Sequence, residues 1–88
     1  MGWTIEITAR ARKTINNLDK QAAIRVLSFL SDRLAATDNP RQLGKQLTGP
    51  LKHYWSYRVG DYRLLCEIKD EKLIVLVLEV GNRREIYR

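Results

Sequence analysis

Hydrophobic and polar residues alternate from Trp3 to Thr8 (W-T-I-E-I-T), and β-branched types dominate the run, which predicts a short strand. From Ala9 onward the period lengthens. Ala11, Ile15 and Leu18 recur at spacings of four and three, the stripe of a helix from Ala9 to about Leu18, with Thr8 placed to cap it. Asp19 opens a second, longer helix from Lys20 to about Ala36. Its expected inner stripe is Ala23, Leu27, Leu30 and Leu34, widened by Ile24, while Arg25, Asp32 and Arg33 face water. Two helices joined so closely form an antiparallel hairpin.

Asn39-Pro40 ends the second helix, because the residue before proline is pushed out of the α region. Arg41 to Leu47 has room for one more turn, and Thr48-Gly49-Pro50 is punctuation before a β-rich half. Strands are expected at Tyr54 to Val59 and Tyr62 to Ile68, flanking Gly60-Asp61, a two-residue loop suited to a primed turn. Asp70-Glu71 then separates off a last strand, Leu73 to Val80. The middle and final strands are the most apolar and belong at the centre of the sheet. The expected fold class is α+β: an N-terminal strand, a helical hairpin, then a three-stranded antiparallel meander. The helices pack on one face of the sheet, and the first strand lies beside the last. With 88 residues, the chain 1–88 is one domain, since two would leave neither with a usable core. It contains no internal repeat, low-complexity segment or linker.

Composition narrows the chemistry. An apolar share of 44% against 30% charged is that of a folded globular protein. The start of the chain lacks the basic and apolar regions of a signal peptide. The longest apolar run, Leu73 to Leu78, is far short of the roughly 20 residues that span a bilayer, so a cytoplasmic location without a membrane partner is expected. A lone cysteine, Cys66, excludes an internal disulfide and a thiolate metal site. A lone histidine, His53, excludes most zinc and haem constellations, and no metal or organic cofactor is expected. Charge is the unusual feature: 16 Lys+Arg against 10 Asp+Glu give +6, which calls for an anionic partner.

The hairpin register then sets two arginines face to face. A two-residue loop at Gly60-Asp61 puts Val59 opposite Tyr62, Arg58 opposite Arg63 and Tyr57 opposite Leu64. One face carries Trp55, Tyr57, Val59, Tyr62, Leu64 and Cys66, the core side, where Trp55, Tyr57 and Cys66 are packing residues. The other carries Tyr54, Ser56, Arg58, Arg63, Leu65 and Glu67. Like charges across a strand pair repel unless an anion sits between them. Two readings stand here: a solvated basic face with screened repulsion, or a phosphate site for planar guanidinium forks. Tyr54 faces outward, where it can stack on a nucleotide. Leu65 and the outward apolar residues of the last strand leave apolar surface that suits a protein partner. The chain ends in Arg83, Arg84 and Arg88, with Ile86 and Tyr87 unlike a purely solvating tail.

The run Leu47-x-Gly49, then Trp55-x-Tyr57-Arg58-Val59-Gly60-Asp61-Tyr62-Arg63-Leu64, resembles the RelE/ParE superfamily of bacterial toxins. Val80-Gly81-x-Arg83 and the closing Tyr87 fit it too, as does the order of elements, over essentially the whole chain. The resemblance implies a RelE-like, microbial-ribonuclease-like fold. The retained arginines and terminal tyrosine look more like the RelE branch, whose members cut messenger RNA in the ribosomal A site. The ParE branch has the same fold and poisons DNA gyrase. By the resemblance Arg63 and Arg83 stabilise phosphate, and Tyr87 positions RNA by stacking or takes part in proton transfer. Lys52, His53, Tyr54, Arg58 and Arg84 are expected RNA or phosphate contacts. The departure lies on the strand before Gly60, where studied RelE members carry two outward lysines, one a leading candidate for proton transfer. The outward positions here are Tyr54 and Ser56. Asn82 also replaces a basic or imidazole side chain found in many relatives.

The expected function is therefore the toxin of a type II toxin–antitoxin module, a metal-independent endoribonuclease acting with the ribosome on mRNA. An acidic, helix-rich cognate antitoxin would complement the charge of +6. Operator DNA would be reached only indirectly, through the antitoxin complex. The alternatives are a ParE-like gyrase inhibitor and a catalytically degenerate member that only binds antitoxin or nucleic acid.

Overall fold

The structure is a computed structural model that describes residues 2–82. Strand β1 (Thr4–Ile7) runs into helix α1 (Ala9–Asn17). At this junction the Thr8 hydroxyl accepts from the Ala11 N–H at 3.1 Å and donates to the Leu78 carbonyl at 3.0 Å. One side chain thus caps the helix and fastens it to the last strand. Asp19 caps α2 (Lys20–Ser28) by accepting from the Ala22 N–H at 2.7 Å.

The second helix continues as expected but changes character. From Phe29 to Leu34 it is a π-helical turn, closed by the Ala35 N–H donating to the Leu30 carbonyl at 2.9 Å. Its buried stripe is Val26, Leu30 and Leu34, with Ala23 and Phe29 partly buried beside them. Leu27 and Ile24, expected inside, are 44% and 52% exposed. The expected and observed stripes share Ala23, Leu30 and Leu34. What turns the helix is Phe29, whose ring packs on Tyr57 at 5.9 Å between centroids and draws Val26 inward in place of Leu27. Arg25, Asp32 and Arg33 are exposed, as read from the pattern.

The segment expected to form one more turn splits in two. Pro40–Leu43 is a 3-10 turn, and Lys45–Gln46 is a two-residue strand, β2, at the edge of the sheet. A 3-10 turn at Gly49–Leu51 leads to β3 (Trp55–Val59), which is joined by Gly60-Asp61 to β4 (Tyr62–Lys69). Another 3-10 turn, Asp70–Lys72, leads to β5 (Ile74–Asn82). Leu73, expected to begin that strand, is instead a left-handed turn residue at φ 54°.

The five strands are ordered β1-β5-β4-β3-β2, with β1 parallel to β5 and the other pairings antiparallel. The meander and the placing of the first strand beside the last are as read from the sequence; β2 is the addition. A bulge in β5 lies where Leu65 pairs with Glu79 and Cys66 with Val77, leaving Leu78 extra. Inward positions therefore pass from Val75 and Val77 to Val80, and Glu79 turns outward instead of entering the core. On the core side these valines join Tyr57, Leu64 and Cys66 against Ala11, Ile15, Val26, Leu30 and Leu34 of the helices. Burial pushes both the Tyr57 hydroxyl and the Cys66 thiol well above their usual ranges, so both stay protonated inside the core. On the opposite face Leu65, Ile74, Leu76 and Leu78 are half-buried.

Candidate nucleic-acid interface

The hairpin tip fixes the central pair. Gly60 sits at φ 59°, a conformation that suits glycine, and closes the two-residue loop. Val59 then pairs with Tyr62 and Arg58 with Arg63, the register the sequence implies. Residues directly opposite on antiparallel strands have Cβ atoms about 4.5–5.5 Å apart, so the two arginine side chains leave the sheet side by side. Arg58 is exposed and Arg63 half-buried. On its other flank Arg63 pairs with Gly81 of β5. That glycine presents no side chain in the row.

Both arginines line a groove of about 500 Å³ whose wall is the segment around β2. Local packing holds that wall close. The Tyr57 hydroxyl, from the core side of β3, donates to the Pro40 carbonyl at 2.8 Å and anchors the turn before β2. At Gly44 a Cβ would lie 2.7 Å from the Tyr57 ring and 2.9 Å from the Ser56 carbonyl, so only glycine lets the chain approach here. Lys45 then pairs with Ser56 and shares its outer face of the sheet. Sequence reasoning missed Lys45, because two residues carry no detectable period. The usable signal was Gly44, a glycine just before a polar pair.

Ser56 has the outward direction expected of it, yet it is only 6% exposed. The cause is β2, which covers it. The groove lining contains Lys45, Arg58 and Arg63 and, among the described residues, no carboxylate. That arrangement accepts anions and offers planar, multidentate donors for phosphate oxygens.

The remaining candidates divide. Lys52 and His53 line a separate cavity of about 480 Å³ with Arg41, Trp55 and Ile68. Trp55 and Ile68 pair with the buried Cys66 and Val75, so this cavity lies on the core side of the sheet, away from the arginine row. Of its residues Gln46 alone also lines the groove. Arg41 in that cavity is engaged by Asp70 through two hydrogen bonds of 2.8 and 2.7 Å, and its guanidinium lies 5.7 Å from the Trp55 ring centre. The hydrogen-bonded guanidinium holds the Asp70 carboxyl below its usual range. Tyr54, half-buried, lines neither cavity; its backbone bonds to Leu47 and Leu51. Arg83, Arg84 and Tyr87 lie outside the described residues. Among the described residues no group of three or more His, Cys, Asp and Glu side chains is arranged to hold a metal, and no helix is long and apolar enough to cross a membrane.

Comparison with known proteins places this geometry. The family profile of the ParE toxin of the type II toxin–antitoxin system parDE matches residues 5–87. The toxin RelG of Mycobacterium tuberculosis is 35% identical over 88 residues, covering 100% of this chain and 99% of that toxin. The toxin RelE of the same organism is 32% identical over 86 residues, covering 98% of this chain and 87% of that toxin. The crystal structure of the toxin–antitoxin complex RelBE2 from Mycobacterium tuberculosis contains a chain with a TM-score of 0.83 and 32% identity, covering 94% of this chain and 100% of that one. The archaeal RelE–RelB complex from Pyrococcus horikoshii gives a TM-score of 0.74 at 25% identity, covering 97% and 99%. The chain belongs to the RelE/ParE superfamily and is a RelE-like toxin of a type II toxin–antitoxin system.

Proposed function

We propose that this toxin cuts messenger RNA in the ribosomal A site and that a cognate RelB-type antitoxin holds it inactive in the cytoplasm. The observation that carries the reading is the Arg58–Arg63 pair, set across one strand pair in a groove lined by no carboxylate among the described residues. The cost of opposing two cations on a folded sheet is offset when a phosphate lies between them.

The chemistry is transesterification within the RNA. The 2′-hydroxyl gives up its proton to water as its oxygen bonds to phosphorus, the bond from phosphorus to the 5′-oxygen breaks, and negative charge builds on the phosphorane oxygens. A guanidinium keeps its charge and is a poor base, so Arg63 stabilises that charge and does not carry protons. Arg83, by the family resemblance, completes the clamp, with Arg84 as a further phosphate contact. Tyr87 stacks on a base or donates to the departing 5′-oxygen. Rate then depends strongly on in-line geometry, which the ribosome imposes on the message. The antitoxin reading draws on the RelB partners of the neighbouring structures and on the half-buried leucines of the outer sheet face.

Purified toxin added to programmed ribosomes, with cuts mapped by primer extension, tests the proposal. Discrete A-site cuts that vanish when ribosomes are omitted are expected. The match to the ParE profile favours a second reading, inhibition of DNA gyrase. Intact message together with loss of supercoiling activity would establish that reading instead.

A further inference from the structure

We infer that Lys45 is a backbone-phosphate contact that holds the nucleotide next to the reacting one, so that RNA runs along β3 from the arginine row toward β2. The inference rests on the groove being the RNA site proposed above. Lys45 pairs with Ser56, and Arg58 stands two residues further along the same face of β3. At a rise of 3.2–3.4 Å per residue, the Lys45 row lies about 7 Å from the row of Arg58 and Arg63. That separation suits two phosphates of one chain better than a single phosphate group.

Three features show that Lys45 is set in place for this. Gly44 and the Tyr57–Pro40 hydrogen bond press the backbone before it against β3, which fixes where its side chain starts. It is exposed and, among the described residues, makes no ion pair, while Arg10 and Arg41 each meet a carboxylate. It also lines the same groove as Arg58 and Arg63. Lysine on an edge strand has another use, in blunting the open edge of a sheet against pairing with other chains. The two roles make different predictions about salt.

The experiment measures binding of a labelled single-stranded RNA oligomer to the full chain by fluorescence anisotropy over a series of KCl concentrations. For single strands each neutralised phosphate contributes about 0.7 to the slope of log K against log salt. Lys45→Ala is expected to flatten the slope by about 0.7 and to weaken binding about fivefold at 0.1 M salt, which is that slope evaluated there. Lys45→Arg is expected to restore both, and Lys20→Ala, at the start of α2, to change neither. A Lys45→Ala slope and affinity equal to wild type would overturn the inference, as would an equal loss in Lys20→Ala or no RNA binding by wild type at low salt. Circular dichroism melting of each variant separates unfolding from lost contact. Failure of the proposed function is read separately: a toxin that leaves ribosome-bound message intact yet shows the slope change retains the phosphate contact and loses the cleavage reading.

Discussion

At the scale of single residues, function and strain sit in different places. Histidine is the side chain type best suited to carrying protons at neutral pH, and His53 is the one histidine in the sequence. It nevertheless lines the cavity with Arg41 and Trp55, not the groove of Arg58 and Arg63. His53→Gln is therefore expected to leave the ribosomal cutting rate and its pH profile unchanged. A slower rate or an altered pH profile in the variant would bring that histidine into the chemistry. Among the described residues, Leu73 is the non-glycine residue held at positive φ, 54°, and it is 43% exposed. A left-handed conformation costs an L-residue about 1–2 kcal/mol, and little packing is at stake here. Leu73→Gly is expected to raise stability by up to about 1 kcal/mol in urea denaturation, the relief being partly cancelled by the freer unfolded chain. Lower stability would mean that the leucine packs better than its exposure suggests.

The arginine pair was legible at this scale because a two-residue loop and strict alternation leave one register. Ser56 was legible in direction but not in burial, since what covers it comes from an element the pattern does not show.

Elements explain that gap. A strand of two residues, Lys45–Gln46, has no period to detect, and it forms because the chain around it is pinned by Pro40 and Gly44. Gly44→Ala puts a methyl within 3.0 Å of both a ring carbon and a backbone oxygen. Overpacking of this kind costs about 1–3 kcal/mol. For a domain of this size each kcal/mol lowers Tm by about 4–8 °C, which a thermal melt resolves. The variant should also weaken RNA binding, because the wall carrying Lys45 moves outward; an unchanged Tm would mean that the ring of Tyr57 yields freely. The second helix shows a different limit. Two stripes sharing Ala23, Leu30 and Leu34 satisfy its pattern equally, and the contact between Phe29 and Tyr57 decides between them. That contact joins residues far apart in sequence, so no local period reveals it. The bulge at Leu78 is hidden in the same way within a run that is apolar throughout.

For the whole molecule, the order of elements carried most of the information. A helical hairpin between strands, followed by a meander, has few ways to close, and β1 beside β5 is the one adopted. The ends of that arrangement are tied by Arg41 and Asp70, which link the turn before β2 to the turn between β4 and β5. Because Arg41 lowers the Asp70 pKa, the bridge stabilises the fold above the unfolded carboxyl pKa, near about 3.9, and is lost as pH falls through the folded value. The pair is partly exposed, which limits its contribution to under about 1 kcal/mol. Asp70→Asn is expected to lower stability by that small amount at neutral pH. The difference from wild type should vanish once pH has fallen through the lowered Asp70 range, in acid titrations followed by circular dichroism. A difference that persisted there would mean that the carboxylate charge is not its origin.

In the proposed function the arrangement of charge turns this scaffold toward RNA, and that proposal is tested most directly by single-turnover cutting of message on programmed ribosomes by wild type and Arg63→Ala. A rate lower by about 10² or more is expected in the variant, the cost of losing one donor to a developing oxyanion, with its circular dichroism spectrum unchanged. Equal rates from a folded variant would contradict it, and the arginine pair would then be a binding surface and not part of the catalytic site.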